Sequence, residues 1–174
     1  MNAEKYTQKA LEAVKTAQSM AQENGNQYVT SEHLLYALLD QDGGLIGSLF
    51  GKMGVDCDGL LSEVDTFIRK LPRISGGSGE VYASPEVGKI FNLAEKTAEK
   101  LHDEYLSVEH LMLAIFSEGS QSVRQLLSDH GITRSRFSDE LAKVKTSPVT
   151  SDNPEDSYDA LKKYGTDLVE RART

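Results

Sequence analysis

Apolar residues recur at helical spacing through the first half of the chain, in four groups that would each form one face of a helix. Polar segments separate the groups, and no segment alternates with a period of two for long enough to require a sheet. The pattern predicts four helices. The groups are Ala10, Val14, Ala17 and Ala21; Leu34, Leu35, Leu38 and Leu39; Leu45, Ile46, Leu49 and Phe50; and Leu60, Val64, Phe67 and Ile68.

The second half of the chain repeats the first with the same spacing. An offset of 77 residues aligns 7–67 with 84–144 without a gap, and ten positions are identical, including the Glu-His-Leu sequences that begin at Glu32 and Glu109. At other positions one apolar residue replaces another, as expected of two diverged copies of one fold. The repeat predicts an all-α fold of eight helices in two pseudo-symmetric four-helix repeats.

Helix-start signals occupy matching positions in the two repeats. Thr7 and Ser84 stand where the first helix of each repeat needs an N-cap, and Pro85 suits the first helical position after Ser84. Thr30 and Ser107 are the corresponding candidates for the second helix of each repeat. These signals strengthen the prediction of a duplicated helical scaffold.

The repeat also divides the chain into segments. Repeat one covers about 7–70, and repeat two covers 84–145, so that 1–145 form one domain. Between the repeats lies a hinge, 71–83, with a Gly/Ser centre that is unsuited to a helix or strand interior. A polar linker, 146–157, follows repeat two. The last segment, 158–174, has no counterpart in the repeat and is predicted to begin a linker helix that leads into a further domain.

Charge and composition narrow the class of function. The formal net charge is −8, so the basic surface expected of a nucleic-acid-binding protein is missing. No apolar run is long enough to span a bilayer. The single cysteine, Cys57, cannot form an internal disulfide, and Asp56 and Asp58 beside it are expected to raise its thiol pKa. These features favour a reducing, cytoplasmic location without membrane or nucleic-acid partners.

The repeated Glu-His pair is the first candidate for chemistry, because both residue types serve as metal ligands and as acids or bases. Neighbours on a helix diverge by about 100°, so Glu32 and His33 cannot readily share a ligand. A zinc-binding helix would need a second histidine four positions from the first, and neither copy supplies one. His33 and His110 are therefore interpreted as structural residues that hydrogen-bond locally near a helix start.

Other candidate motifs also fail. The segment GSLFGKMG, 47–54, lacks the spacing and the hydroxyl residue of a phosphate-binding loop, and its aligned partner RQLLSDHG loses the Gly-Lys pair. No G-x-S-x-G sequence is present. No catalytic residue, metal site or cofactor is expected in this chain, and the residues favour a helical binding or interaction module. A small hydrolase with an unrecognised site is the hypothesis from another class.

The sequence resembles a known family at particular segments. A duplicated helical unit with hydroxyl-x-Glu-His-Leu at the second helix of each half resembles the Clp N-terminal (Clp repeat) domain of Clp-family AAA+ chaperones. Three segments are similar to the ClpB-type disaggregases in particular: QYVTSEHLLYALLDQDGG (27–44), LPRISGGSGEVYASPEVGKIFNLAEK (71–96) and NPEDSYDALKKYGTDLVERA (153–172). The last resembles the stretch that leads into the first ATPase domain of that branch.

The resemblance implies a role in a larger assembly. The intact protein would be a homohexameric AAA+ ATPase that uses ATP and Mg²⁺, bound in ATPase domains outside this chain, and contains a coiled-coil middle domain. It would thread unfolded or aggregated client polypeptides through its pore together with a DnaK-type heat-shock chaperone system. The N-domain, expected to be a monomer as a fragment, would engage exposed apolar client segments. The alternative is the adaptor- or substrate-binding N-domain of a degradative Clp-protease ATPase.

The resemblance also implies residues for client contact, in an apolar groove with a polar edge. Thr7, Asp103 and Glu109 match the polar positions, and both Thr7, as a helix cap, and Glu109, at a helix dipole, have purely structural interpretations as well. Apolar surface nearby is expected from three further residues. These are Val81, Tyr82 and Leu93.

Overall fold

A computed structural model describes residues 3–74 and 79–155. Within these ranges it contains eight α-helices, as predicted, and a short 3-10 helix at Ala3–Lys5. The helices are α1 (Gln8–Glu23), α2 (Ser31–Leu39), α3 (Leu45–Lys52), α4 (Cys57–Arg69), α5 (Pro85–Lys100), α6 (Val108–Glu118), α7 (Gln121–Asp129) and α8 (Arg134–Val144). The predicted linker helix, 158–174, lies outside the described residues. No helix in the described ranges is both long and apolar enough to cross a bilayer.

The predicted caps are present at the first helix of each repeat. The Thr7 hydroxyl accepts a hydrogen bond from the Ala10 amide at 3.2 Å, and the Ser84 hydroxyl accepts one from the Val87 amide at 3.3 Å. Pro85 is the first residue of α5. Each cap satisfies one of the backbone N–H groups that a helix start leaves without a partner.

A histidine side chain caps the start of the second helix in each repeat. The backbone N–H of Thr30 donates to Nδ1 of His33 at 3.0 Å, and that of Ser107 donates to Nδ1 of His110 at 2.9 Å. In a capping box this position usually carries Glu or Gln, so the imidazole takes the place of a carboxyl or amide group. The structural interpretation of both histidines is confirmed.

The tautomer of each histidine follows from this cap. Because Nδ1 accepts a hydrogen bond, the ring proton lies on Nε2. That nitrogen is 2.9 Å from Asn26 Oδ1 in His33 and 2.7 Å from Asp103 Oδ2 in His110. Both imidazoles are fully buried. Each histidine therefore joins the first turn of its helix to the loop that precedes it.

The turn after α1 and the turn after α5 have the same backbone conformation. Gly25 has a φ of 74°, and His102, its counterpart under the 77-residue offset, has a φ of 61°. The next amides, of Asn26 and Asp103, each donate to a carbonyl in the last turn of the preceding helix at 2.8 Å. A residue with a Cβ is strained in this left-handed region, so repeat two carries a cost that glycine avoids in repeat one.

The core is continuous across the two repeats. Helices α2 and α6 lie at its centre and bury nearly every residue, including Leu34 and Leu111. Phe50 of α3 and Phe137 of α8 meet edge to face, with ring centroids 6.0 Å apart, across the repeat boundary. Loss of either repeat would therefore expose apolar surface of the other.

Extended segments cross between the repeats at two points. The segment before the first helix of each repeat pairs in parallel with the segment before the second helix of the other. At one crossing, which we call the Leu106 junction, Tyr6 pairs with Leu106. At the other, the Val29 junction, β1 (Tyr28–Val29) pairs with β2 (Tyr82–Ala83). These strands are too short to leave an alternating pattern in the sequence, which explains why none was predicted.

We expect the change His102→Gly to stabilise the fold by about 1 kcal/mol, because it removes left-handed strain at the end of α5. Urea denaturation at neutral pH measures the effect. The reciprocal change in repeat one, Gly25→Ala, serves as the matched comparison and should destabilise the fold by a similar amount. A destabilising His102→Gly would show that contacts of the His102 side chain outweigh its backbone strain.

The stability of the fold should also depend on protonation of His33. Burial lowers the pKa of His33 to about 4, so the folded state binds this proton less readily than the unfolded chain, with its ordinary pKa near 6.5. The stability that neutral His33 contributes is complete above about pH 6.5 and is lost as the pH falls towards 4.

The change His33→Gln tests this dependence, since glutamine also suits the capping position but does not titrate. Urea denaturation at several pH values should show a slope up to about 1.4 kcal/mol per pH unit shallower in the variant between pH 4 and 6.5. Equal slopes in the two chains would assign the acid sensitivity to other groups.

Candidate functional site

Three of the predicted site residues meet at the Leu106 junction. Thr7 caps α1, Asp103 lies in the loop after α5, and Glu109 lies in the first turn of α6. Thr7 and Glu109 are fully buried, and Asp103 is 8% exposed. The crossing of the two repeats places these residues together, although about a hundred positions separate Thr7 from the other two.

The chain itself fills this site. Residues 145–155, which we call the strap, leave the end of α8 and pass over the junction. Lys145 Nζ lies 2.6 Å from Asp103 Oδ2 and 2.9 Å from Glu109 Oε2. The strap then buries Val149, which is 1% exposed. The N–H and the C=O of Val149 are both hydrogen-bonded: the amide donates to Asp103 Oδ1 at 2.7 Å, and the carbonyl accepts from the Glu104 amide at 2.7 Å.

The far end of the strap is fixed by an acidic side chain. Oε2 of Glu155 accepts a hydrogen bond from the Thr7 hydroxyl at 2.8 Å and one from the Val108 amide at 3.2 Å. Val108 is the first residue of α6, so the carboxyl lies at the positive end of that helix. Between the two attachment points the Gln8 amide donates to the Asp152 carbonyl at 2.8 Å.

The charges at the junction depend on these contacts. Burial disfavours the Asp103 carboxylate, but hydrogen bonds from His110, Lys145 and the Val149 amide outweigh it and lower the pKa of Asp103 to about 2. Burial likewise disfavours the Lys145 ammonium, and the facing carboxylates of Glu109 and Asp103 nevertheless raise its pKa. The ion pair is therefore held charged inside the protein.

The Val29 junction makes a related contact with neutral groups. Under the offset, Asn26 replaces Asp103 and Pro72 replaces Val149. The side-chain amide of Asn26 donates to the Pro72 carbonyl at 3.0 Å. Because Pro72 has no N–H, the side chain that binds it must donate to its carbonyl, as Asn26 does. At the Leu106 junction Asp103 instead accepts from the Val149 N–H. The two repeats thus bind the segment that follows them in related ways, but only the Leu106 junction does so with a carboxylate.

The predicted apolar residues do not all border the polar ones. Val81 and the half-exposed Tyr82 lie at the Val29 junction, at the start of α5, whereas Asp103 follows the end of that helix. A helix of 16 residues is about 24 Å long, so the expectation that Val81 and Tyr82 lie near Asp103 is wrong. Leu93 is half-buried in the middle of α5.

Other side chains supply apolar surface beside the polar trio. Asp103 lines two cavities, of about 900 Å³ and 360 Å³. Apolar walls come from Tyr6, Ala98 and Leu106 in the first and from Leu101, Leu113 and Leu141 in the second. Neither these wall residues nor Val149 was predicted from the sequence. For Val149 a signal was available, since the offset aligns it with Pro72, which has no N–H to donate.

The remaining candidates for chemistry are accounted for by their surroundings. Burial raises the pKa of the Cys57 thiol, with smaller contributions from Asp58 and Asp56; the direction is the predicted one, although burial contributes most. In the described part of the chain, no three His, Cys, Asp or Glu side chains are grouped so as to hold a metal ion.

Known proteins are similar to this chain in sequence and in fold. Residues 5–130 match the family model of the Clp repeat (R) N-terminal domain. The chain belongs to this family. The chaperone protein ClpB of Brucella suis is 38% identical over 176 residues, an alignment that covers 99% of this chain and 20% of the relative. This Clp repeat domain therefore spans about a fifth of the length of the curated relatives it matches, and the predicted family is confirmed.

Solved structures share the fold of this Clp repeat domain. The Hsp104 N-terminal domain from Candida albicans has a TM-score of 0.77 at 18% identity, with 86% of this chain and 98% of that one covered. The ClpV N-domain in complex with a VipB peptide has a TM-score of 0.66 at 20% identity, with 87% and 90% covered. Both likenesses confirm the predicted all-α architecture.

We expect Asp103→Asn to destabilise the fold by about 3 kcal/mol, because Lys145 would lose one buried partner and His110 a charged acceptor. Thermal or urea unfolding measures the loss. The matched control is Asp152→Asn, an exposed aspartate of the strap, which should change the free energy of unfolding by no more than about 0.5 kcal/mol. Equal effects of the two changes would show that the buried charge cluster is not a main support of the junction.

Proposed function

We propose that the chain is the client-binding N-terminal domain of an ATP-dependent protein disaggregase. It engages exposed apolar segments of unfolded or aggregated proteins and passes them to the AAA+ pore. The observation that carries the proposal is the extended strap at the Leu106 junction, bound through its backbone and one apolar side chain. A site that holds one extended segment in this way suits others of unrelated sequence.

The chemistry of the junction fits an unfolded client. An unfolded chain offers backbone N–H groups without partners and apolar side chains. Asp103 provides a charged acceptor for such an N–H, and the Glu104 amide provides a donor for the following carbonyl. The apolar walls around Tyr6, Leu106 and Leu113 would receive the side chains. Backbone recognition of this kind supports binding to extended segments of many different sequences, with preferences set by the few side chains that the site also contacts.

The family supports the wider role. The ClpB relatives are named chaperones and are about five times as long as this chain, which leaves room for ATPase domains that bind ATP and Mg²⁺. In the intact protein we expect a homohexamer that acts with a DnaK-type chaperone system in the cytoplasm. The ClpV N-domain is similar in fold and holds a peptide in its complex, which supports polypeptide binding as the task of the N-domain.

A second surface is proposed to contribute apolar contact. Tyr82 is 53% exposed and pairs in register with Tyr28, which is 45% exposed, at the Val29 junction. Exposed tyrosines are among the side chains that dominate protein interfaces. We keep Val81, Tyr82 and Leu93 as proposed client contacts, but on this separate surface along α5.

Client binding is tested with reduced, carboxymethylated lactalbumin, which stays unfolded, carrying a fluorescent label whose anisotropy reports binding. The chain should bind this protein and not the native, disulfide-bonded form. We expect Tyr82→Ser to weaken binding about fivefold, the loss of roughly 1 kcal/mol of aromatic contact.

The matched control is Tyr82→Phe, which keeps the ring and removes only the hydroxyl that donates to Glu80; its affinity should stay within about twofold of the original. Absence of binding to the unfolded protein would contradict the proposed function. Equal affinity of all three chains would show that Tyr82 does not contact the client, and the proposed binding at the Leu106 junction would be unaffected.

A further inference from the structure

We propose that the strap is a built-in occupant of the client site, and that a client binds at the Leu106 junction by displacing it. The inference rests on the proposed function and deepens it. It also specifies the favoured client segment: an extended stretch with a small apolar residue and an acidic residue six positions later, as Val149 and Glu155 are spaced in the strap.

The strap and a client would need the same atoms. The Thr7 hydroxyl donates to Glu155, and Glu109 faces the Lys145 ammonium. One oxygen of Asp103 accepts from the Val149 amide, while the other lies against His110 and Lys145. A hydroxyl has one proton to donate, and the hydrogen-bonding atoms of Thr7 and Asp103 are already engaged by the strap. Occupation by the strap and by a client is therefore mutually exclusive.

The strap is attached like a bound peptide rather than like part of the core. On either side of Val149, residues 146–148 and 150–153 are exposed. Burial resumes at Pro154 and Glu155, where the second attachment lies. Between the two attachments the strap is held, among the residues that the structure describes, only by the exposed contact of Asp152 with Gln8, and a segment with so few buried contacts belongs to the least stable parts of a fold. Its release would leave the eight helices and their shared core unchanged.

The second attachment carries an electrostatic cost. Burial raises the pKa of the Glu155 carboxyl by more than the hydrogen bonds from Thr7 and Val108 lower it, and the nearby Glu109 raises it further, so the charged form is disfavoured where it lies. Its Oε1 atom is buried and has no hydrogen-bond partner among the residues that the structure describes. A client carboxylate with freedom to turn towards solvent would avoid this cost. A client segment can therefore compete with the strap for the site.

Substitutions at Val149 should loosen the strap without changing the residues of the site that it covers. Val149→Ser removes apolar burial, and Val149→Asp also places a negative charge beside Asp103. The matched controls are the same two substitutions at Thr150, the exposed neighbour. Labelled, carboxymethylated lactalbumin is the probe, with the full chain of 174 residues used throughout. Circular dichroism confirms that each variant is folded.

Apparent affinity falls with the fraction of molecules in which the site is open, so a loosened strap should tighten client binding. We expect about tenfold tighter binding for Val149→Ser, a larger gain for Val149→Asp and no change for either Thr150 variant. Adding Asp103→Asn to Val149→Asp should abolish the gain, since the client loses its charged acceptor. A gain that survives this second change would place the client elsewhere and overturn the proposal.

A peptide of residues 146–157, TSPVTSDNPEDS, tests the favoured segment directly. It should compete with the client for the Val149→Asp chain, and the same peptide with aspartate at the Val149 or alanine at the Glu155 position should compete at least about tenfold more weakly.

If the unaltered chain binds the client but the Val149 variants bind it no better, the strap is not an occupant, and the proposed function stands. If no chain binds the client, the proposed function itself fails.

Discussion

The structure depends on the crossing of extended segments between the two repeats. The Thr7 amide donates to the Leu106 carbonyl at 2.9 Å, and at the equivalent crossing the Ser84 amide donates to the Val29 carbonyl at 3.0 Å. Each repeat thus supplies backbone partners that the other needs immediately before its second helix. The buried histidines hold the same helix starts, and the apolar core extends over both repeats. Neither repeat can satisfy its buried backbone groups alone.

This constraint also explains how a precise polar site arises from residues far apart in sequence. The crossing that pairs Tyr6 with Leu106 brings the cap of α1 against the first turn of α6, so Thr7 and Glu109 are neighbours. The left-handed residue His102 turns the chain after α5 and positions Asp103 against His110. The two crossings then differ in one contact, where Asp103 binds the segment that follows its repeat with a carboxylate. The Val29 junction, with Asn26 and Pro72, kept a neutral version of the same contact.

Much of the scaffold could be predicted from the sequence because its signals are local. Caps such as Thr7 and Ser84 and the repeated His33 and His110 report on the few residues around them. The site was only partly predictable, because its composition depends on how distant segments meet. Nothing local distinguishes Val149 from other apolar residues of polar linkers, and its burial depends on an acceptor, Asp103, that lies 46 positions away. The placement of Tyr82 failed for the same reason, since position relative to α5 is a property of the fold.

Hydrogen exchange at the Val149 amide reports whether the strap covers the client site, because that N–H is bonded to Asp103 when the strap is in place. Nuclear magnetic resonance would follow exchange in the free chain and in the presence of saturating unfolded lactalbumin. We expect slow exchange in the free chain and a large acceleration when client is bound, while amides in the core of α2 and α6 stay protected. Exchange in the free chain at the rate of an unstructured peptide would show that the strap does not occupy the site, and protection that persists with client bound would show that the client does not displace it.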